Sequence, residues 1–203
     1  MTLEGNWEGR DDLQELVQRA CQGDSEAFGA LYDQHLDAVY RYIYYKVSDK
    51  TEAEDLTAHV FTKAWEAMPR YRYREIPFSH WLMRLARNAV IDRYRTLRSH
   101  GELDEGLASR EPDPQGQYLL GERLKELEWA IRRLPEEQRT VVLLRFIEGM
   151  DYAQVSAITG KNPGALRVIQ HRALAALRRT LEREDNQGVR KDRGNLSRLP
   201  RKD

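Results

Sequence analysis

Two groups of side chains in this 203-residue chain have types and spacings suited to phosphate and base chemistry. The first lies in Asp151–Leu181, where Arg167, His171, Arg172, Arg178 and Arg179 oppose a helical stripe of Leu166, Ile169, Ala173, Leu177 and Leu181. Arginines on an exposed helix neutralise phosphates and reach base edges in a duplex major groove. The second is RYRYREIPFSHW, residues 70–81, in which arginine alternates with aromatic rings. Arginine there suits phosphates, and the rings suit stacking on unpaired bases. The other reading of the same loop is that its rings fold back onto a core.

Nothing comparable points to catalysis. There is no Ser/His/Asp or paired-carboxylate arrangement and no Gly-x-x-x-x-Gly-Lys-Ser/Thr loop. The five histidines lack ligand spacing, and the single Cys21 excludes an internal disulfide or a multi-cysteine zinc site. We therefore expect no metal, no cofactor and no enzyme activity.

The elements that must position these groups read as helices. Asp151 and Gln154 form a capping-box pattern, Val155 and Ile158 give an apolar face, Gly160 supplies a stop, and Asn162-Pro163 starts a second helix. This stretch alone fits either a helix-turn-helix or an ordinary hairpin with a solvated arginine face. Before it, Leu120, Leu124, Leu127, Ile131 and Leu134 recur at four-three-four-three spacing, and Pro135 opens a helix with core candidates Val141, Val142, Leu144 and Phe146.

Toward the N-terminus, a flexible leader (1–11) precedes a short helix, and Asp24 or Ser25 caps a longer one. Ala27, Phe28, Leu31, Leu36, Val39, Tyr40, Ile43 and Val47 form its stripe, which leaves Tyr42, Tyr44 and Tyr45 partly off it and open to exposure. Thr51 and Glu54 read as a capping box for the next helix, with Leu56, Val60, Phe61, Ala64 and Met68 inward and Pro69 as its end. After the arginine-aromatic loop, a helix packs through Leu82, Leu85, Ala86, Ala89 and Val90. Its mid-helix Asn88 has poor propensity, which suggests a hydrogen-bonding task, to a base edge or to a neighbouring segment.

The fold class expected is all-α, with two small helical domains (12–98 and 118–183) joined by a flexible acidic linker (99–117) and followed by a disordered basic tail (184–203). The tail either adds attraction to phosphates or merely solvates. Net charge is zero but partitioned. Residues 12–69 hold five Lys/Arg against eleven Asp/Glu, and residues 70–98 hold eight Arg against two acids. Residues 99–122 hold one Arg against six acids, and residues 123–181 hold eleven Lys/Arg against six acids. Two basic surfaces thus fit on a neutral protein. No apolar run approaches the ~18 residues of a membrane helix, and no secretion signal opens the chain, so a soluble, cytoplasmic protein is expected.

Taken in order, these stretches resemble a bacterial sigma factor of the extracytoplasmic-function group of the sigma-70 family. DSEAFGALYDQHLDAVYRY, AEDLTAHVFTKAW and PFSHWLMRLARNAVIDRYR match its region 2 pattern; LPEEQRTVVLLRFIEGMDYAQVSAITGKNPGALRVIQHRALAALR matches its region 4 pattern. The likeness spans roughly Asp12 to Leu181. It implies a surface for core RNA polymerase at Asp55, Leu56, Phe61, Lys63 and Trp65, with Ala58 and His59 departing from the usual glutamine and glutamate. It implies contacts to a melted −10 promoter element from Tyr71, Tyr73, Phe78, Trp81, Asn88, Asp92 and Arg95. For the −35 duplex it implies Arg167, Val168, Gln170, His171 and Arg172; Ile169 stands where many members have arginine, and Gln170 where many have leucine. The implied partners are core RNA polymerase, promoter DNA as duplex and as melted strand, and an anti-sigma factor, with no insertion into a membrane. Two other readings remain at this stage. One is a stand-alone helix-turn-helix regulator whose first domain senses or dimerises, and the other is a scaffold whose first domain binds a protein partner.

Overall fold

Short polar side chains and left-handed glycines set the helix boundaries. α1 (Glu8–Cys21) ends at Gly23, whose φ of +91° permits the turn into α2 (Ser25–Val47). Asp24 caps α2, its Oδ1 accepting the N–H groups of Glu26 and Ala27 at 3.0 and 3.1 Å. α3 (Lys50–Ala67) is capped by Asp49, which accepts the Glu52 N–H at 2.8 Å. The expected Thr51/Glu54 box is therefore not the start: a carboxylate two residues earlier already takes the orphan amide, and Thr51 lies within the first turn. A 3-10 turn, Met68–Arg70, follows around Pro69, and α4 (Phe78–Ser99) begins directly after Pro77.

The computed structural model describes residues 8–47, 49–72, 76–99 and 122–196, with side chains for 12–47, 49–72, 76–97 and 126–183. The second domain comprises α5 (Glu122–Arg132), α6 (Glu136–Val142), a π-helical turn (Leu143–Ile147), α7 (Tyr152–Thr159) and α8 (Pro163–Leu196). No strand occurs among the described residues. Residues 1–7 of the leader, 100–117 of the linker and 197–203 of the tail lie outside them. Where a structureless tail was read from 184, the backbone stays helical to Leu196. No proline interrupts the stretch, although Gly188 and Gly194 lower its intrinsic helix propensity.

The buried side chains form one continuous core, to which α1 to α4 contribute Leu31, Ile43, Phe61, Met68, Phe78 and Leu82, and the second domain contributes Ile131, Leu143, Leu144, Val155, Leu166 and Ala173. Two residues break the sequence reading. Tyr42, read as off the stripe, is 1% exposed. Phe146, read as core, is 50% exposed. The π-turn explains the latter. The Glu148 N–H donates to the Leu143 carbonyl five residues back, at 2.9 Å, so the helix gains a residue and Leu143 turns inward in place of Phe146.

Tyr42 is buried because the second domain packs on this side of α2. The Lys46 ammonium is fully buried and donates to Glu136 Oε1 at 2.7 Å, Thr140 Oγ1 at 2.5 Å and the Glu136 carbonyl at 3.2 Å. Arg139 donates from Nη1 to the Tyr45 and Lys46 carbonyls at the end of α2, and from Nη2 to the Arg132 and Leu134 carbonyls of its own domain. Arg41 and Glu148 form a two-bond pair at 2.9 and 3.0 Å. Arg132 lies over the Tyr44 ring, 4.6 Å from its centroid. Tyr44 and Tyr45 are thus half-buried under the second domain.

Candidate nucleic-acid interface

The turn between α7 and α8 is determined locally. Asp151 accepts the Gln154 N–H at 2.8 Å while its own N–H donates to Gln154 Oε1 at 2.6 Å. Gly160, at φ +72°, closes α7, its N–H donating to the Ser156 carbonyl at 2.8 Å. Ser156 Oγ ties the turn to the Lys161 carbonyl at 2.7 Å, and Asn162 Oδ1 accepts the Ala165 N–H at 2.8 Å to start α8. The capping box, the stop and the second start read from the sequence are all present. Replacing Asp151 with alanine should remove the acceptor for the Gln154 N–H while keeping the backbone N–H that donates to Gln154 Oε1, and cost about 1 kcal/mol, read as a lower urea midpoint with an unchanged slope.

This turn directs α8 so that Leu166, Ala173 and Leu177 are buried while Arg167, Val168, His171 and Arg172 are exposed. Among the candidate −35 residues these four share the outward side. Gln170 departs from them. It is half-buried, and its Oε1 accepts Tyr152 Oη at 2.9 Å and Arg145 Nε at 3.4 Å. At ~100° per residue, position 170 falls next to Leu166 and Leu177 on the wheel, so its carbonyl turns toward α7 and the π-turn. Tyr152 and Arg145 were not singled out from the sequence. Arg145 looked like one charge in an apolar run, and only a three-dimensional contact between three elements distinguishes it.

In the first domain, Trp81, Asn88, Asp92 and Arg95 follow at spacings of seven, four and three along α4 and so share one face. Asn88, Asp92 and Arg95 are exposed, and Trp81 is half-buried. Asp92 and Arg95 pair at 2.6 Å with both side chains largely in water, which adds little stability and leaves both groups available. The loop aromatics divide. Tyr71 and Phe78 are buried, and the Tyr71 hydroxyl donates to the Ile76 carbonyl. Their rings pack on Trp81 with centroids 4.7 and 5.6 Å away. Of the two readings of the loop, Tyr71 and Phe78 thus take the one in which rings fold back onto the core, and both pack against Trp81. Tyr73 lies outside the described residues.

On α3, Asp55 and Lys63 are exposed and Leu56 is half-buried along one side, together with exposed His59. Phe61 is buried against Tyr32, with ring centroids 4.5 Å apart, and so acts as support and not as surface. Trp65 is exposed at the opposite edge, packed on Phe28 at 5.0 Å.

A cavity of about 270 Å³ lies at the junction of the two domains, lined by His35, His80, Met83, Glu148, Met150 and Gln154 among others. Burial holds both imidazoles below their ordinary pKa, so they are neutral near pH 7. Among the described residues no group of three or more His, Cys, Asp or Glu could hold a metal ion, and no helix is long and apolar enough to cross a membrane.

A helix-turn-helix with an outward arginine and histidine side, and a separate helix face of tryptophan, asparagine and charged groups, are two surfaces whose chemistry suits DNA. Comparison with known proteins agrees. Residues 31–100 match the family model for Sigma-70 region 2, and residues 124–177 match that for Sigma-70, region 4. The ECF RNA polymerase sigma factor BldN of Streptomyces coelicolor is 40% identical over 173 residues, covering 83% of this chain and 66% of that one. This chain thus spans about two thirds of that relative's length. The structure of CnrH in complex with the cytosolic domain of CnrY aligns with a TM-score of 0.67 at 23% identity, covering 84% of this chain and 97% of that chain. The sigma factor RpoE in complex with the anti-sigma factor NepR, from Bartonella quintana, aligns with a TM-score of 0.61 at 24% identity, covering 76% and 96%. These last two likenesses concern the fold. The chain belongs to the sigma-70 family of RNA polymerase sigma factors, in its extracytoplasmic-function group.

Proposed function

We propose that this chain binds core RNA polymerase in the cytoplasm through the outward side of α3, with Asp55, Leu56 and Lys63 at its centre. α4 then presents Trp81, Asn88, Asp92 and Arg95 to the −10 element as it melts, and α8 presents Arg167, Val168, His171 and Arg172 to the −35 duplex. One observation supports this most strongly: two faces of different chemistry lie on two different helices, α4 of the first domain and α8 of the second. A ring backed by Tyr71 and Phe78 suits an unstacked base, whereas an arginine-bearing helix end suits an intact major groove. The protein acts by binding, and the energy for opening comes from its contacts and the polymerase. An anti-sigma factor, the kind of partner present with RpoE of Bartonella quintana, would hold it inactive by covering faces on both domains.

Run-off transcription with core polymerase on genomic fragments tests this reading. Specific start sites should appear only when the protein is added. Tight sequence-specific duplex binding by the protein alone, with no change in polymerase selectivity, would instead make it a stand-alone regulator. Replacing Arg167 with alanine should weaken use of the cognate −35 sequence by ~1–3 kcal/mol, the worth of one bidentate contact to guanine, while leaving −35 variants that lack that base nearly unchanged. An equal loss on every promoter would reduce Arg167 to a phosphate anchor.

A further inference from the structure

Arg167 does not stand alone on α8. Its guanidinium lies over the Tyr152 ring, 5.0 Å from the centroid, and the Arg145 guanidinium lies over the same ring at 4.4 Å. The ring is held at both ends. Its backbone is the first residue of α7, directly after the Asp151 cap, and its hydroxyl donates to Gln170 Oε1 at 2.9 Å. Gln170 is held in turn by Arg145 Nε at 3.4 Å, and Arg145 Nη1 donates to the Met150 carbonyl. Arginine has no acceptor, so the Gln170 atom facing it must be the carbonyl oxygen. That oxygen then has two donors and is not available to take an adenine amino proton, so the two-bond adenine contact of a glutamine is closed to Gln170.

We propose that Tyr152 is the positioning residue for Arg167 and that Gln170 anchors Tyr152 and does not read a base. A long arginine in water samples many rotamers, and ordering it on DNA costs entropy at the moment of binding. A ring fixed beneath the guanidinium removes part of that cost beforehand and sets the plane from which the fork meets a base edge. A leucine at position 170 could not accept the tyrosine hydroxyl. The glutamine thus links the π-turn, α7 and the reading helix into one support. This inference rests on the −35 role proposed for α8.

The test uses the full chain carrying Tyr152→Leu, Tyr152→Phe, Gln170→Leu or Arg167→Ala, each checked for an unchanged melting profile. In arginine-labelled protein without DNA, the Arg167 Nε–Hε resonance should show a ring-induced shift. The shift should vanish in Tyr152→Leu and shrink in Gln170→Leu and Tyr152→Phe. With core polymerase, discrimination at the base pair where Arg167→Ala relaxes preference should fall about three-fold in Tyr152→Leu, the size of an exposed cation–π contact, with the salt dependence unchanged. An Arg167 resonance insensitive to Tyr152, or a uniform loss on all promoters, overturns the positioning role. If Arg167→Ala itself relaxes no base preference while the resonance behaves as stated, the −35 reading of Arg167 fails and the positioning role in recognition falls with it. The fault is then identified as the reading and not the support.

Discussion

Replacing Phe78 with alanine should destabilise the first domain by about 3–5 kcal/mol, a large part of the stability of a small domain. The ring is 1% exposed and packs against His35 at 5.3 Å, Trp81 at 5.6 Å and Tyr71 at 5.9 Å. Tyr71 is tied to the Ile76 carbonyl, so this cluster closes the loop as well as filling the core. A cavity left at position 78 cannot collapse without moving the start of α4 and with it the seat of Trp81. Urea denaturation of the full chain should therefore show a lower midpoint, and promoter opening should fail before closed binding does. A stability change under about 1 kcal/mol, with opening still lost, would show that Phe78 acts as a base-stacking surface and not as a core ring.

The second large effect concerns the joint between the domains. Glu136→Ala should weaken docking by about 2–3 kcal/mol. This is below the 3–5 kcal/mol of a fully dry pair because the Glu136 side chain is 47% exposed and water can partly replace it. It leaves the Lys46 ammonium with Thr140 and a backbone carbonyl but no counter-charge. Lys46→Met, which removes the charge and keeps the stem, should be close to neutral. Small-angle scattering distinguishes the two: the radius of gyration should rise in Glu136→Ala and stay constant in Lys46→Met. An unchanged radius in Glu136→Ala would show that the pair contributes nothing to docking.

The same lysine gives docking a pH dependence. Burial, partly offset by Glu136, pushes Lys46 down to about 8 from its ordinary 10.5. Below pH 8 both docked and separated forms carry the proton, and the dehydration cost is fully present. Between about 8 and 10.5 the separated form still holds a proton that the docked form has shed, so raising the pH favours docking. Scattering at pH 9.5 should report a chain at least as compact as at pH 7.5, and expansion would reverse the sign.

Much of the fold could be read from the sequence because its signals are local. Asp24, Asp151, Gly160 and Asn162 do what short polar residues and glycine do within four positions of themselves, and the α4 face follows from helical period alone. The misses share a different character. Phe146 was misplaced because a single extra residue in a π-turn shifts the register without any mark in the apolar pattern. Tyr42 was misplaced because the partner that buries it lies about 90 positions away. For Tyr71 and Phe78, alternation with arginine gave the composition of the loop but not the direction of its rings. For Gln170, the matched family position gave no sign of Tyr152 and Arg145, the two donors that meet its oxygen.

The Lys46 pair also sets an order of events during synthesis. Its two halves are 90 positions apart in the chain, and Arg139 follows the α2 carbonyls it caps by 93 or more. At ~5–20 residues per second, roughly 5–20 s pass between the emergence of one half and the other. During that interval α1 to α4 can fold with the Lys46 ammonium still hydrated and the end of α2 open to solvent. Each newly made molecule therefore passes through an open-jointed youth, and its joint closes only when residues near 140 leave the ribosome.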